Sequence, residues 1–410
     1  MREMKDSGCN YLGMIPSSWS TSRLKGYFKV SRITGRPDAM VLSLYRDYGI
    51  VPKDSRSDNH NVTSLDTSKY KFVEVGDFVI NKMKGWQGSM ALSAYEGIVS
   101  PAYHVFKFTS PLLLPKYAHY LLRCRSYADE WHKLSTGLRV GQWDLHVEDF
   151  LNTRIPVPPL DEQRRIADYL DEKCVEIDRA VSAAERSIQE YVVYKKGFVT
   201  EAVQRSGGKE MRLRHLCSRV FDGPFGSHLK SADYIDEGIR VVRLENLRYM
   251  SFDDSKRSYV SQEKYETIAR HTVIPTDLIM ATFVAKEVQV ASLPEGVQFA
   301  VNKADCVGLR LKNEVCVNRY VQYALSSNVV LDYLRSNLHG TTRDRVNTSQ
   351  IKEIPLLIPS LDGQGRIADY LDEKCAQIDT VIAAKQAIIA DLKAYKQSLI
   401  YETVTGKREV

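Results

Sequence analysis

Basic and amide side chains gather in three stretches of this 410-residue chain, and each stretch carries donors that phosphates and base edges accept. In the first, Lys82, Lys84, Trp86 and Gln87 crowd a glycine-punctuated loop, with Arg139 and Gln142 further on. The second follows Gly223-Pro224-Phe225-Gly226 with Ser227, His228 and Lys230, then Arg240, Arg243 and Asn246. The third is Gly340-Thr341-Thr342-Arg343-Asp344-Arg345. Arginine and lysine suit phosphates and guanine edges, while asparagine and glutamine suit adenine edges. Lys82, Lys84, Trp86, Arg139, Lys230, Arg243, Asn246, Arg343 and Arg345 are therefore the candidate DNA contacts. A basic loop alone more often marks a solvated surface than a reading head, so the elements that carry these loops must decide.

No catalytic motif accompanies them. An adenine methyltransferase needs a glycine-rich cofactor loop and an Asn-or-Asp-Pro-Pro-aromatic tetrad. The nearest sequence, Asp222-Gly223-Pro224-Phe225, has glycine at the first proline position and no such loop upstream. Gly208-Lys209 is followed by Glu210 rather than Ser or Thr, so there is no phosphate loop. Asp171-Glu172-Lys173 lies within a helical pattern and reads as a polar helix face rather than a nuclease centre. Seven cysteines without a C-x-x-C pair argue against a disulfide framework or a zinc site. The polypeptide is expected to bind without catalysing, and to hold no metal or cofactor.

The supporting elements repeat. Residues Ile166–Cys174 and Ile367–Cys375 both read IADYLDEKC, at an offset of 367 − 166 = 201 residues, close to half the chain. Identity over nine residues at half-length spacing marks a tandem duplication. From Leu170 the apolar positions run through Cys174, Ile177, Val181, Ala184, Ile188, Tyr191, Lys195, Phe198 and Ala202, with spacings alternating four and three. The second copy keeps this register at Leu371, Cys375, Ile378, Ile382, Lys385, Ile389, Leu392, Lys396, Leu399 and Thr403. These are heptad seams of long helices packed on one another. From Glu162 to Val203, at about 1.5 Å per residue, the first helix spans roughly 60 Å. Lys195 and Lys396 are the polar members of the seams. The preferred reading is that their stems pack and their ammonium groups reach water; the alternative is that they fix the antiparallel register.

Prolines crowd the approach to each helix, at Pro156, Pro158 and Pro159 and again at Pro355 and Pro359. Asp161 and Asp362 stand where N-caps are expected. Ser206-Gly207-Gly208 should end the first helix and Thr405-Gly406 the second. The segments before the helices, 1–155 and 207–355, read as mixed α/β with short β-rich runs at Phe72–Ile80 and Gly238–Leu244. They are not close copies of each other, which suggests two heads that read different things. The formal charge of +6 is mild support for an anionic partner. No apolar run is long enough to cross a bilayer or serve as a signal peptide, so a cytoplasmic, non-membrane protein is expected.

Pro158-Pro159-Leu160-Asp161-Glu162-Gln163-Arg164-Arg165 leading into the nonapeptide, with Ile177-Asp178, resembles the spacer signature of the specificity subunits of type I restriction-modification systems. Ile15-Pro16-Ser17-Ser18-Trp19, Gly97-Ile98-Val99-Ser100-Pro101-Ala102-Tyr103 and Gly223-Pro224-Phe225-Gly226-Ser227 extend the resemblance along the whole chain. It implies α/β (α+β) recognition domains at 1–155 and 207–355, joined by long antiparallel coiled-coil helices at 156–206 and 356–410, in a pseudo-two-fold tandem duplication. It also implies a split double-stranded DNA target, two methyltransferase subunits and two restriction subunits as partners. S-adenosylmethionine, ATP and Mg would belong to those partners. In the second spacer Gly363 and Gly365 replace Glu162 and Arg164, a change expected to lower helix propensity by about 1 kcal/mol per site. The rival reading is a coiled-coil scaffold whose heads bind protein or another ligand.

Overall fold

The computed structural model describes residues 2–46, 48–56, 63–64, 66–137, 143–226, 228–284, 286–337 and 345–410. Two compact units divide the chain: Met1–Ala184 with Ala387–Val410, and Glu185–Gln386. Two long helices, Leu160–Gln204 and Leu361–Val404, contribute one stretch to each unit.

Both units contain the same framework. In the first, a four-stranded antiparallel sheet runs in the order Phe28–Ser31, Tyr103–Phe108, Phe78–Asn81, Met90–Leu92. Its counterpart runs Cys217–Asp222, Cys306–Leu311, Asp277–Ala281, Val290–Ala291. Two helices follow each sheet, Pro115–Arg123 and Arg125–Leu134 in one, Asn318–Leu325 and Asn328–Ser336 in the other. A strand leading into each long helix, Arg154–Val157 or Pro355–Ile358, pairs antiparallel with Ser20–Arg23 or Lys209–Arg212. The additions differ. The second unit carries a five-stranded sheet that includes the parallel pair Ile239–Val242 and Ala300–Asn302. Among the described residues the first has three two-stranded ribbons instead, Met4–Asp6 with Met14–Pro16, Leu42–Tyr45 with Gly49–Pro52, and Lys71–Val73 with Gly97–Val99. The run Phe72–Ile80 divides into separate strands because Gly76, at φ 91, turns the chain between them.

The heptad seams pack as their spacing requires. Leu170, Ile177, Val181 and Leu399 join the aromatic core of the first unit, with Phe28, Phe78, Phe106 and Phe150. Val199, Leu371 and Cys375 join the core of the second. Direction follows from contacts inside each unit: Arg165 meets Val410 and Asp178 meets Lys396, so the segments run antiparallel. In the second unit Lys195 meets Asp379 and Phe198 meets Tyr370, with the same sense.

The seam lysines are paired rather than reaching water. Lys195 Nζ donates to both carboxylate oxygens of Asp379, at 2.8 and 2.7 Å, and Lys396 Nζ does the same to Asp178, at 2.7 Å each. The pairs are equivalent under the 201-residue offset. A seven-residue slip would bring the lysines to Asp372 and Asp171, whose carboxylates already accept from Tyr323 and Tyr120. Register specification is therefore the reading the geometry favours. Because the lysine side chains are only 13% and 28% exposed, each pair should lie near the top of the range for exposed ion pairs, about 1 kcal/mol. Asp379→Lys should destabilise the chain by about that much, and adding Lys195→Asp should recover it in a thermal double-mutant cycle.

Helix ends match the glycine signals better than the aspartate ones. Gly207 and Gly406 take left-handed φ of 69 and 73 just past the helix ends. At the starts, both helices begin one residue before the expected caps. Ser360 caps the second, its carbonyl accepting from the Gln364 N–H at 2.8 Å and its hydroxyl from the Gly363 N–H at 3.2 Å. Pro159 supplies the corresponding carbonyl in the first. Asp161 and Asp362 sit in the first turn, facing the positive end of the helix dipole and paired with Arg164 and Arg366.

The glycines at 363 and 365 leave the second helix regular from Leu361. In the first unit Glu162 accepts the indole N–H of the fully buried Trp19 at 2.9 Å and pairs with Arg2. Strand register makes Gly208 the counterpart of Trp19. A Cβ at Gly208 would strike the Ile358 and Pro359 backbone. The Trp19–Glu162 pair is thus replaced by two glycines, 208 and 363, which carry neither the indole donor nor the carboxylate.

Candidate nucleic-acid interface

In the first unit the loop after Phe78–Asn81 is fastened from beneath. The Trp86 N–H donates to the Met83 carbonyl at 3.0 Å, and its ring packs 5.1 Å from His132 and 5.5 Å from Trp143. Gly85 lies tight against Ile80 and Leu145. Trp86 therefore anchors the loop, and Lys84 projects from it into solvent. Lys82 lies 3.5 Å from Asp144 and is about one-third exposed. Positive charge concentrates beneath: burial, then Lys71 and Lys82, lowers the His104 pKa to about 4, and burial together with Lys82 lowers that of Lys71. Such mutual repulsion is relieved when an anion binds. Arg139 and Gln142 lie outside the described residues.

The second unit reorders its candidates. Asn246 is buried, donates to the carbonyls of Asp253 and Lys256 at 3.0 and 2.8 Å, and accepts from the Arg243 N–H at 2.9 Å. Its amide is consumed by the turn, so Asn246 is withdrawn as an adenine-reading residue. Arg240 is likewise inward, paired with Asp254 at 2.8 Å. Arg243 pairs with Glu245 at 2.8 Å and lies over the Tyr234 ring. Arg345 pairs with Asp305 at 3.2 Å and lies over Phe283. Lys230 is exposed at the start of a short turn. Ser227 and Arg343 lie outside the described residues. The structure thus keeps the first-unit loop together and disperses the second-unit set over several elements.

The repeated spacer sequence has a structural purpose that the motif alone did not reveal. Gln163 and Gln364, both fully buried, make the same three bonds in the two units. Gln163 accepts from the Leu114 N–H at 2.8 Å and donates to the Leu112 and Pro158 carbonyls, each at 2.9 Å. Gln364 accepts from the Val317 N–H at 2.8 Å and donates to Val315 and Pro359 at 3.1 and 2.9 Å. Leu114 and Val317 are the N-caps of equivalent helices. Two turns on, Asp171 accepts from Tyr120 at 2.6 Å and Lys116 at 2.7 Å, while Asp372 accepts from Tyr323 at 2.7 Å and pairs with Arg319. The Asp-Glu-Lys triplet is thus a docking element: its aspartate ties the head to the helix in both copies.

Among the described residues no group of three or more His, Cys, Asp or Glu side chains could hold a metal ion, and no helix is long and apolar enough to cross a membrane. All seven cysteines are free and buried.

Two heads of common framework, held identically on long paired helices and differing in their peripheral sheets and loops, define a duplicated recognition protein. The pattern described as the type I restriction modification DNA specificity domain matches residues 16–179 and 256–393, and the chain belongs to that family. It is 19% identical to the type I restriction enzyme MjaVIII specificity subunit of Methanocaldococcus jannaschii, over 97% of this chain and 94% of the relative. It is 22% identical to the StySPI specificity subunit of Salmonella potsdam, over 96% and 90%. A solved structure from work on complex assembly and conformational transition of the type I R-M system has a similar fold, with a TM-score of 0.71 at 16% identity. That match covers 96% of this chain and 99% of the other.

Proposed function

We propose that the chain is the specificity subunit of a type I restriction-modification complex and reads a split double-stranded DNA sequence, one half with each head. Residues 1–155 and 207–355 are the recognition domains in this reading, and 156–206 and 356–410 the spacers. The chain docks two methyltransferase and two restriction subunits in the cytoplasm and is itself non-catalytic, with S-adenosylmethionine, ATP and Mg carried by those partners. The observation that carries the reading is the family match in both halves. The repeated docking network supports it, because identical fastening with different loops suits two sites of different sequence. The scaffold alternative has no comparable support.

Two measurements test this. Mapping N6-methyladenine in host DNA with and without the gene should show one split motif lost with the gene. An unchanged map, with a methyltransferase partner expressed, would refute the reading. For the assembled methylating complex, binding should weaken with salt by about 0.9 log units per log unit of salt for each phosphate contact. Lys84→Glu should lower that slope by at least one contact, and a slope equal to that of the unaltered complex would remove Lys84 from the interface.

A further inference from the structure

The second unit contains a basic cleft that the sequence clusters did not bring together. Its volume is about 310 Å³, and Arg219, Phe221, Pro224, Phe225, His228 and Arg270 line most of it. Arg219 and Arg270 come from segments 51 residues apart, joined where the Arg219 guanidinium donates to the Arg270 carbonyl at 2.6 Å. Their charges are available. Among the described residues neither forms an ion pair, whereas Arg243, Arg248, Arg310 and Arg345 in the same unit each face a carboxylate.

The cleft is built rather than incidental. The Arg219 guanidinium lies 4.4 Å from the Phe221 ring centre, and Arg310, bound to Asp277, lies 5.9 Å from the same ring. Arg270 is held through His271: its Nε donates to His271 Nε2 at 3.1 Å, which leaves Nδ1–H to donate to the Asp222 carbonyl at 2.6 Å. His271 is 9% exposed, and both ring nitrogens are engaged in aiming the arginine. The wall opposite is fixed as well. A Cβ at Gly223 would collide with the Lys303 carbonyl, so only glycine lets the Asp222–Phe225 loop lie this close to that backbone. Beyond it Phe225 projects, 53% exposed, at the cleft margin. The other titratable groups facing the cleft are Asp222 and the exposed His228.

Two unpaired guanidinium groups in a preorganised hollow, beside an exposed aromatic ring, suit a phosphate with an adjoining sugar or base. We propose that this cleft seats a backbone phosphate of the DNA half-site read by the second head. Arg219 and Arg270 are its donors, His271 is a positioning residue and Phe225 packs on the neighbouring nucleotide. The proposal rests on the DNA-reading function and adds a site to it.

The test uses the assembled methylating complex and a duplex carrying its mapped target, with affinity followed against salt. The double variant Arg219→Gln/Arg270→Gln should lower the salt slope by about 0.9, the contribution of one phosphate contact, and each single variant by a smaller amount. The preference for the target over a scrambled duplex should change little, because phosphate contacts position without reading sequence. Uncharged methylphosphonates are then introduced one position at a time. One substitution should weaken the unaltered complex and leave the double variant unaffected. His271→Ala should give an intermediate slope. An unaltered slope in the double variant, or no methylphosphonate position masked by it, would overturn the cleft and leave DNA reading intact. Competition by inorganic phosphate at matched ionic strength, with no masked position, would assign the cleft to free anions and likewise overturn the proposal. Absence of salt-dependent binding by the unaltered complex would instead overturn the DNA reading itself.

Discussion

Acidification from pH 7 to 5 should destabilise the first unit much more than the second. His119 and His104 both lie in the first unit, with pKa values lowered from 6.5 to about 3 and about 4. Burial is the main cause for both, reinforced by Arg123 beside His119 and by Lys71 and Lys82 beside His104. The His119 Nδ1 accepts the Leu92 N–H at 3.1 Å, and Arg123 lies 2.9 Å from its other nitrogen. Protonation would break the first contact and place two cations together. Because the unfolded chain takes up these protons more readily, stability is complete above about pH 6.5 and is lost as pH falls toward the folded values. For two histidines the loss by pH 5 is about 3 kcal/mol. Hydrogen exchange can compare the counterpart strands Tyr103–Phe108 and Cys306–Leu311, with protection falling further in the first than in the second, where burial lowers the pKa of His271. His119→Asn, which keeps an acceptor for Leu92, should remove about half the difference. Equal acid sensitivity in both strands, or no change in the variant, would contradict the assignment.

The features legible in the sequence were those whose causes are local or periodic. The duplication showed because the same apolar and aspartate positions contact the head in both halves, which keeps their spacing. The helix ends showed because Gly207 and Gly406 need left-handed backbone. Both helix starts were misplaced by two residues, since an aspartate in a first turn and an aspartate cap look alike until the carbonyl ladder is known. Pair partners were less legible. Lys195 was read from its own helix, while the carboxylate that holds it lies 184 residues away. Asn246 had the right chemistry for adenine, but a local turn uses both its donors and its acceptor. Arg219 and Arg270 stood outside every basic cluster, and only the fold around Asp222 brings them together.

The fastening glutamines carry the other large expected effect. Gln163→Leu and Gln364→Leu should each lower stability by about 3 kcal/mol, because a side chain of similar bulk would leave one part-buried N–H and two carbonyls without the partners they have now. For a unit of this size that corresponds to a fall in Tm of roughly 6–12 °C in calorimetry. The effect should be local to the head altered, since each glutamine bonds only within its own unit. Tyr120→Phe and Tyr323→Phe remove single hydrogen bonds to the half-exposed Asp171 and Asp372, and about 1 kcal/mol is expected for each. This order separates two accounts of the repeated motif. If the spacer sequence is repeated mainly for helix pairing, the seam lysines should matter more than the glutamines. If it is repeated to hold each head at a fixed angle on its helix, the glutamines should dominate, and the geometry of three bonds on one buried amide favours that account. Near-native melting of both glutamine variants would reject it. A head loosened in this way should also lose DNA affinity at its own half-site first, with methylation falling at the split target before the complex itself comes apart.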